Sequence, residues 1–156
     1  MAIRNIIKEG DEILNKVCRP VEKFDEKLAV LLDDMAETMA QADGCGLAAP
    51  QVGILRRVVV IDVGDGVIEL VNPEFLEQIG EQECVEGCLS SPGQYGITKR
   101  PQKVKVRAQN RKGEYFELEG EELLATACCH EIDHLNGILF KSHVIRMLDP
   151  DELEKK

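Results

Sequence analysis

The residues best suited to chemistry form the stretch His130-Glu131-Ile132-Asp133-His134. On a helix, residues four apart share one face, so the imidazoles of His130 and His134 point toward the same place. Two neutral imidazoles in this arrangement suit a divalent transition metal. Glu131 lies one position round the helix, where it can reach a water on the metal without being a ligand. The pattern therefore predicts a metal-activated water beside a carboxylate base.

The residues that precede this motif indicate that its helix is buried. Residues 123–129 are apolar or small, and unpaired polar groups are costly inside a protein. This context favours a metal site over the alternative, a charged helix end at the surface. Leu123 and Ala127 share the face of the two histidines, so we predict that they line a substrate cavity beside the metal. Packing in the core explains Leu123 equally well.

The two histidines leave a catalytic metal one protein ligand short. A third histidine three residues after Gly137 is excluded, because Phe140 occupies that position. A carboxylate from residues 149–154 would come from a charged end of the chain, which we expect to fray. The remaining source is a thiolate. Cys88 lies between small and turn-forming residues where a strand is expected to end, and a metal would hold its thiol deprotonated.

The stretch GCGLAAPQ at positions 44–51 is the third candidate for chemistry. Its glycines and alanines let another group approach the backbone closely, although a tight helix-to-strand connection explains the glycines equally well. Gln51 follows a rigid proline and can donate its amide to a developing oxyanion. We predict that Cys45 and Gly46 form a further wall of the substrate site, with Gly46 offering backbone hydrogen bonds.

The composition describes a globular chain of 156 residues, with 44% hydrophobic and 31% charged residues, which we interpret as one domain over residues 1–156. No apolar run reaches the length of about eighteen residues that a membrane span needs. An early charge at Arg4 does not fit a secretory signal, so we expect a cytoplasmic protein. The net charge of −10 argues against nucleic-acid binding. The cations at Lys99, Arg100, Lys103, Lys105 and Arg107 are interpreted as solvated strand edges.

The periodicity predicts an α+β fold with mainly antiparallel strands and hairpins around a central helix that carries the metal motif. Two helices are expected: one over residues 25–42, capped by Asp25, and a motif helix opened by residues 120–122 and closed by Asn136 and Gly137. The expected strands form hairpins over 57–72 and 103–118 and an extended segment over 82–88. The six cysteines, at positions 18, 45, 84, 88, 128 and 129, are expected to be thiols or ligands and not disulfides.

In this order and spacing, GCGLAAPQ, EGCLS (86–90) and HEIDHLNG (130–137) resemble the three motifs of the peptide deformylase family. The similarity also covers Ser91-Pro92-Gly93 and the hairpin over 104–113, and so nearly the whole chain. The resemblance implies a hydrolase that removes the N-formyl group from the formyl-methionine of newly made polypeptides and releases formate.

Residue by residue, the resemblance implies that the metal ligands are Cys88, His130 and His134. It implies that Glu131 is the acid and base, and that Gln51 and the backbone N–H of Leu89 hold the oxyanion. Gly87, beside Cys88, is expected to contact the substrate. The implied metal is Fe²⁺ in the cell, with Ni²⁺, Co²⁺ or Zn²⁺ able to replace it.

The sequence departs from the family pattern at two places. Cys129 stands where the family usually has Gln, so a hydrogen bond that orients a ligand could be lost. The tail is short and acidic, which argues against ribosome docking through the basic helix that some members carry there. Two alternatives therefore stay open beside the deformylase: a non-catalytic or weakly active metal-binding paralogue, and an endopeptidase that uses the HExxH motif.

Overall fold

The computed structural model describes residues 2–149 and residue 151. This part of the chain contains two α-helices, α1 (Glu26–Gln41) and α2 (Leu123–Leu135). The strands are β1 (Gly46–Ala48), β2 (Val58–Ile61), β3 (Ile68–Ile79), β4 (Gln82–Cys88), β5 (Ser91–Arg100), β6 (Lys103–Gln109), β7 (Tyr115–Glu121) and β8 (Val144–Met147). The predicted α+β class is confirmed.

The strands form two antiparallel sheets. The larger sheet has five strands in the order β1-β2-β3-β6-β7, and the smaller has three in the order β4-β5-β8. Strands β1 and β4 each lie at an edge of their sheet. The backbone groups along such an edge are free to pair with another chain.

Helix α1 follows from its sequence as expected. Asp25 caps it by accepting a hydrogen bond from the Leu28 N–H at 3.1 Å, which satisfies one of the unpaired donors of the first turn. The apolar face is buried through Leu28, Leu31, Leu32, Met35 and Met39 and packs against β1 and β2. The role predicted for this face, packing in the core, is confirmed.

Helix α2 is buried along most of its length and packs against the larger sheet. Its predicted end is confirmed, because Asn136 is the C-cap and Gly137 follows with φ 74°, a conformation that glycine adopts without strain. Its predicted start is wrong. Gly120 and Glu121 belong to β7, and Glu122 is an N-cap residue without a side-chain hydrogen bond to the helix.

Both predicted hairpins and the extended segment at β4 are confirmed, but three strands were not predicted. β1 has only three residues, too few for a periodic pattern. β5 contains Pro92, Gly93 and Gly96, and these residues disfavour a strand when they are judged by propensity alone. β8 is a short edge strand whose residues are partly or fully exposed.

Most cations of the basic stretch over residues 99–107 form ion pairs with acidic residues on neighbouring strands. Lys105 lies 3.2 Å from Glu117 and Arg107 lies 3.9 Å from Glu74, which agrees with the interpretation as strand edges. Arg100 is the exception, because it is only 5% exposed. The expectation that it is solvated is wrong.

All six cysteines are free thiols, as predicted. No helix in the described part of the chain is long and apolar enough to cross a membrane.

Candidate metal centre

The three predicted ligands converge at one point. Helix α2 supplies His130 and His134, and the last residue of β4 supplies Cys88. Their ligand atoms all lie within 4.8 Å of one another, and Cys88 Sγ is 3.4 Å from His134 Nε2. Since the motifs are far apart in sequence, the fold brings them together by laying the smaller sheet against the motif helix.

His130 is oriented by Glu86, a residue whose role the sequence analysis missed. His130 Nδ1 donates to Glu86 Oε1 at 2.8 Å, since a carboxylate can only accept. Nε2 is then left to face the centre, as in metal sites where a carboxylate fixes the ring of a ligand histidine. Because β4 shifts its register against β5 between Gly87 and Cys88, simple alternation counted from Cys88 does not locate Glu86.

Glu86 is held in turn by Arg100. The Arg100 Nε donates to Glu86 Oε2 at 2.7 Å and its Nη2 donates to Oε1 at 3.0 Å, while Thr98 supplies a further short hydrogen bond. Burial alone would raise the pKa of Glu86, but the bonds from His130, Arg100 and Thr98 outweigh it and hold the pKa at about 2. Arg100 also donates to Asp133 at 2.9 Å.

His134 is a neutral imidazole at every physiological pH. It has no exposed surface, and burial together with the neighbouring His130 lowers its pKa to about 3. Its Nδ1 has no hydrogen-bond partner among the described residues. A buried, neutral ring with Nε2 beside a thiol suits metal ligation.

Glu131 lies beside this centre without being part of it. Its Oε2 is 4.0 Å from His130 Nε2, and its Oε1 has no partner within the described part of the chain. Burial raises the pKa of Glu131 to about 7, against the opposing effect of His130. A carboxyl group with this pKa can accept and return a proton near neutral pH.

Gln51 points its amide toward the same centre. The Ala48 N–H donates to Gln51 Oε1 at 2.9 Å, which leaves Nε2 to donate to Ser90 Oγ at 3.1 Å and to Cys88 Sγ at 3.5 Å. Gln51 is only 1% exposed. Leu89 follows Cys88 in the turn between β4 and β5. The Gln51 side-chain amide thus contacts Cys88, and the Leu89 backbone directly follows it; their role as oxyanion donors stays a prediction.

Two of the residues predicted to contact substrate, Gly46 and Gly87, lie beside Glu131 and Cys88. The other three are Cys45, Leu123 and Ala127. Gly46 begins β1 directly against Glu131, where a Cβ would collide with the carboxylate, and Gly87 precedes Cys88. Cys45 is exposed. Leu123 is 55% exposed at the start of α2, whereas Ala127 is buried in the core. The cavity wall formed by these last two residues stays a prediction.

Cys129 is packed in the core and is not one of the candidate ligands. It is 5% exposed in the core cluster, and burial raises its pKa to about 12. Because Glu86 already fixes the His130 ring, the orientation of that ligand does not depend on residue 129. The third histidine of the chain, His143, lies 3.2 Å from Asp133 and is not part of the candidate ligand cluster.

The donor set fits a divalent metal. One thiolate and two imidazoles are a common set for a catalytic site that keeps a fourth position open for water or substrate. In residues 2–149 and 151, Cys88, His130 and His134 are the only such cluster of potential ligands. Of the alternative carboxylates in the tail, Glu152 and Glu154 lie outside the described residues.

Comparison with known proteins gives one consistent family. The family model for polypeptide deformylase matches residues 3–149. A peptide deformylase of Acetivibrio thermocellus is 62% identical over 156 residues, which is 100% of this chain and 92% of the relative. A crystal structure of a peptide deformylase from Thermotoga maritima matches with a TM-score of 0.90 and 45% identity, over 91% of this chain and 97% of the other.

A further similar structure contains a bound small molecule. It is a peptide deformylase from Synechococcus elongatus in complex with actinonin, with 37% identity and a TM-score of 0.88 over 97% of this chain and 82% of the other.

Proposed function

Since the chain belongs to the polypeptide deformylase family, we propose that its own site for this reaction is the centre formed by Cys88, His130 and His134, with Glu131 next to it. The enzyme is a hydrolase that removes the N-formyl group from newly made polypeptides, and the family uses a divalent metal. The observation that supports the assignment of residues is the convergence of three ligand atoms within 4.8 Å, with the Glu131 carboxylate beside them.

Glu131 is the acid and base in this proposal. A divalent metal held by Cys88, His130 and His134 would act as a Lewis acid and would make a water nucleophilic near neutral pH. Glu131 Oε2 accepts the proton of that water, and Glu131 later delivers a proton to the leaving amine of the substrate. Its pKa of about 7 suits both steps.

The negative charge that develops on the formyl oxygen is received by two donors. The Gln51 amide is fixed by Ala48, and the Leu89 N–H is fixed by the turn after Cys88. Each such donor contributes roughly 3 kcal/mol when water is excluded. Formate and a free amino terminus are the products.

The two free sheet edges bind the peptide in this proposal. Gly46 on β1 and Gly87 on β4 flank the centre on strands that lie at the edge of their sheets. An extended peptide can add to such an edge through main-chain hydrogen bonds. Cys45, Leu123 and Ala127 are proposed to contact the methionine side chain.

The remaining parts of the proposal concern the setting of the site. We propose Fe²⁺ as the metal in the cell, as the family resemblance implies. Ni²⁺, Co²⁺ or Zn²⁺ are possible replacements, because a thiolate and two imidazoles accept all four. Residues 1–156 form one catalytic domain in which α2 is the central element. The enzyme is cytoplasmic in this proposal. The short acidic tail argues against docking to the ribosome through a basic helix, and cosedimentation with ribosomes would test for association by another route.

Release of formate tests the proposal. Anaerobically prepared, iron-loaded protein should release formate from formyl-Met-Ala, and actinonin should inhibit it. The variant Glu131→Ala should bind metal but lose nearly all activity, whereas Cys88→Ala should lose both metal and activity. Formate release by Cys88→Ala at the normal rate would overturn the ligand assignment. Cleavage of an internal peptide bond without formate release would instead support the endopeptidase.

A further inference from the structure

The N-terminal segment contacts both turns that carry the oxyanion donors. The Ile7 N–H donates to the Gln51 carbonyl at 2.7 Å, and the Glu9 N–H donates to the Ser90 carbonyl at 2.7 Å. Gln51 lies in a short 3-10 helix (Ala49–Val52), and Ser90 lies in the turn between β4 and β5. Residues 7–9 belong to neither sheet, so this segment bridges two separate parts of the site.

The side chain of Glu9 strengthens the bridge. Its Oε2 accepts hydrogen bonds from Ser91 Oγ at 2.7 Å and from Lys141 Nζ at 2.6 Å. The bond from Lys141, followed by that from Ser91, lowers the pKa of Glu9 in spite of partial burial. Lys141 also contacts the amide oxygen of Gln94. The Glu9 carboxylate therefore holds Ser91 at the start of β5, and the Glu9 N–H holds Ser90 just before it.

The turn that Glu9 holds is short and lies at an irregular place in the smaller sheet. Cys88 pairs directly with Ser91, so Leu89 and Ser90 alone make the turn, and the strand register shifts just before it, between Gly87 and Cys88. The Ser90 hydroxyl accepts the Gln51 amide at 3.1 Å. A displacement of this turn would therefore move the Leu89 N–H, the Gln51 amide and the Cys88 thiolate relative to one another.

We propose that Glu9 is a positioning residue for the deformylase reaction, because it fixes the Leu89–Ser90 turn that carries the oxyanion donor and adjoins the Cys88 ligand. The inference rests on the proposed function of this site. Glu9 touches neither the ligands nor the substrate position, so its effect falls on the transition state and not on the binding of substrate.

The experiment compares Glu9→Ala with Glu12→Ala, which removes the same charge from an exposed position three residues away. For formyl-Met-Ala, Glu9→Ala should lower kcat about tenfold with KM unchanged, because a small misplacement of catalytic groups is costly. The Co²⁺-loaded variant should show shifted visible absorption bands, since the Cys88 thiolate has moved. Glu9→Gln should restore most of kcat, because its amide oxygen can accept from Ser91 and Lys141.

Two further arms make the result decisive. Ser91→Ala removes one hydrogen-bond partner of Glu9. It should change kcat and the Co²⁺ spectrum in the same direction as Glu9→Ala, but by a smaller amount. This variant still tests the proposal if Glu9→Ala does not fold. A variant with wild-type kcat and Co²⁺ bands but a lower unfolding temperature would overturn the proposal. If wild-type protein releases no formate, the proposed function fails, and the Co²⁺ spectrum then decides whether Glu9 positions the thiolate.

Discussion

Glu86 Oε1 lies 2.8 Å from His130 Nδ1, and the same carboxylate accepts two hydrogen bonds from Arg100. The contact joins the smaller sheet to helix α2 at the metal centre, because Glu86 is on β4 and His130 is on α2. It also fixes the tautomer of His130, so that Nε2 is the nitrogen left free for the proposed metal. The geometry of the site therefore depends on a residue that touches neither metal nor substrate.

Replacing Glu86 with Gln should weaken metal binding. The amide can still contact His130, but it no longer stabilises positive charge on the ring or pairs fully with Arg100. We expect metal affinity to fall about 10- to 100-fold, the usual effect of losing such a partner, as measured by competition with a chelator. Glu83→Gln, on an exposed position of the same strand, should bind metal normally. Equal affinity in both variants would contradict the role of Glu86.

Replacing Arg100 with Met should lower the free energy of unfolding of the protein even when no metal is bound. It would leave the Glu86 carboxylate buried without its cation, and breaking a buried pair in this way costs about 3–5 kcal/mol. Urea unfolding of the metal-free protein measures the loss. Arg107→Met removes an exposed cation from the next strand and should cost less than about 1 kcal/mol. Similar losses for the two variants would argue against a special role for Arg100.

The sequence predicts the ligands of this site much better than their support. His130 and His134 follow from helical spacing, which also places Glu131 beside them, and Cys88 follows from the need for a third ligand. Glu86 and Arg100 were missed because their pairing depends on how β4 packs against β5, which no local pattern reports. Strand β5 was missed for a related reason, since its Pro and Gly content is tolerated only through its pairing with β4 and β8.

Gly46→Ala should impair catalysis while sparing the metal. A Cβ at this position would collide with the Glu131 carboxylate, which would have to move away from its place beside His130. We expect kcat to fall about 100-fold or more, because a displacement of this size misplaces the proton acceptor, and metal content should stay at one equivalent. The double variant Gly46→Ala/Glu131→Ala should be no slower than Glu131→Ala alone. An additive loss would place the effect of Gly46 elsewhere.

The cysteines should differ strongly in their reactivity toward an alkylating reagent. Burial raises the pKa of both Cys128 and Cys129 to about 12, so neither forms a thiolate near neutral pH. Desolvation and the nearby Glu131 also raise the pKa of Cys45, but Cys45 is exposed, and this accessibility should make it the first to be modified in the metal-loaded protein. Mass spectrometry after timed alkylation would show this order, and Cys45→Ser should abolish the fast phase. Early modification of Cys129 would contradict its place in the core.

The contribution of Glu9 to stability should depend on pH in a defined direction. Because Lys141 and Ser91 lower its pKa from the ordinary value of 4.5, the folded protein binds the Glu9 proton less readily than the unfolded chain does. The contribution is therefore complete above that ordinary value and is lost as the pH falls through the lowered pKa. The difference in unfolding free energy between wild type and Glu9→Gln, measured between about pH 7 and pH 3, should be constant near neutrality and shrink toward acid. The same measurement on Glu12→Gln should give no such trend, and a Glu9 difference that grows toward acid would show that the carboxylate is not held by these two donors.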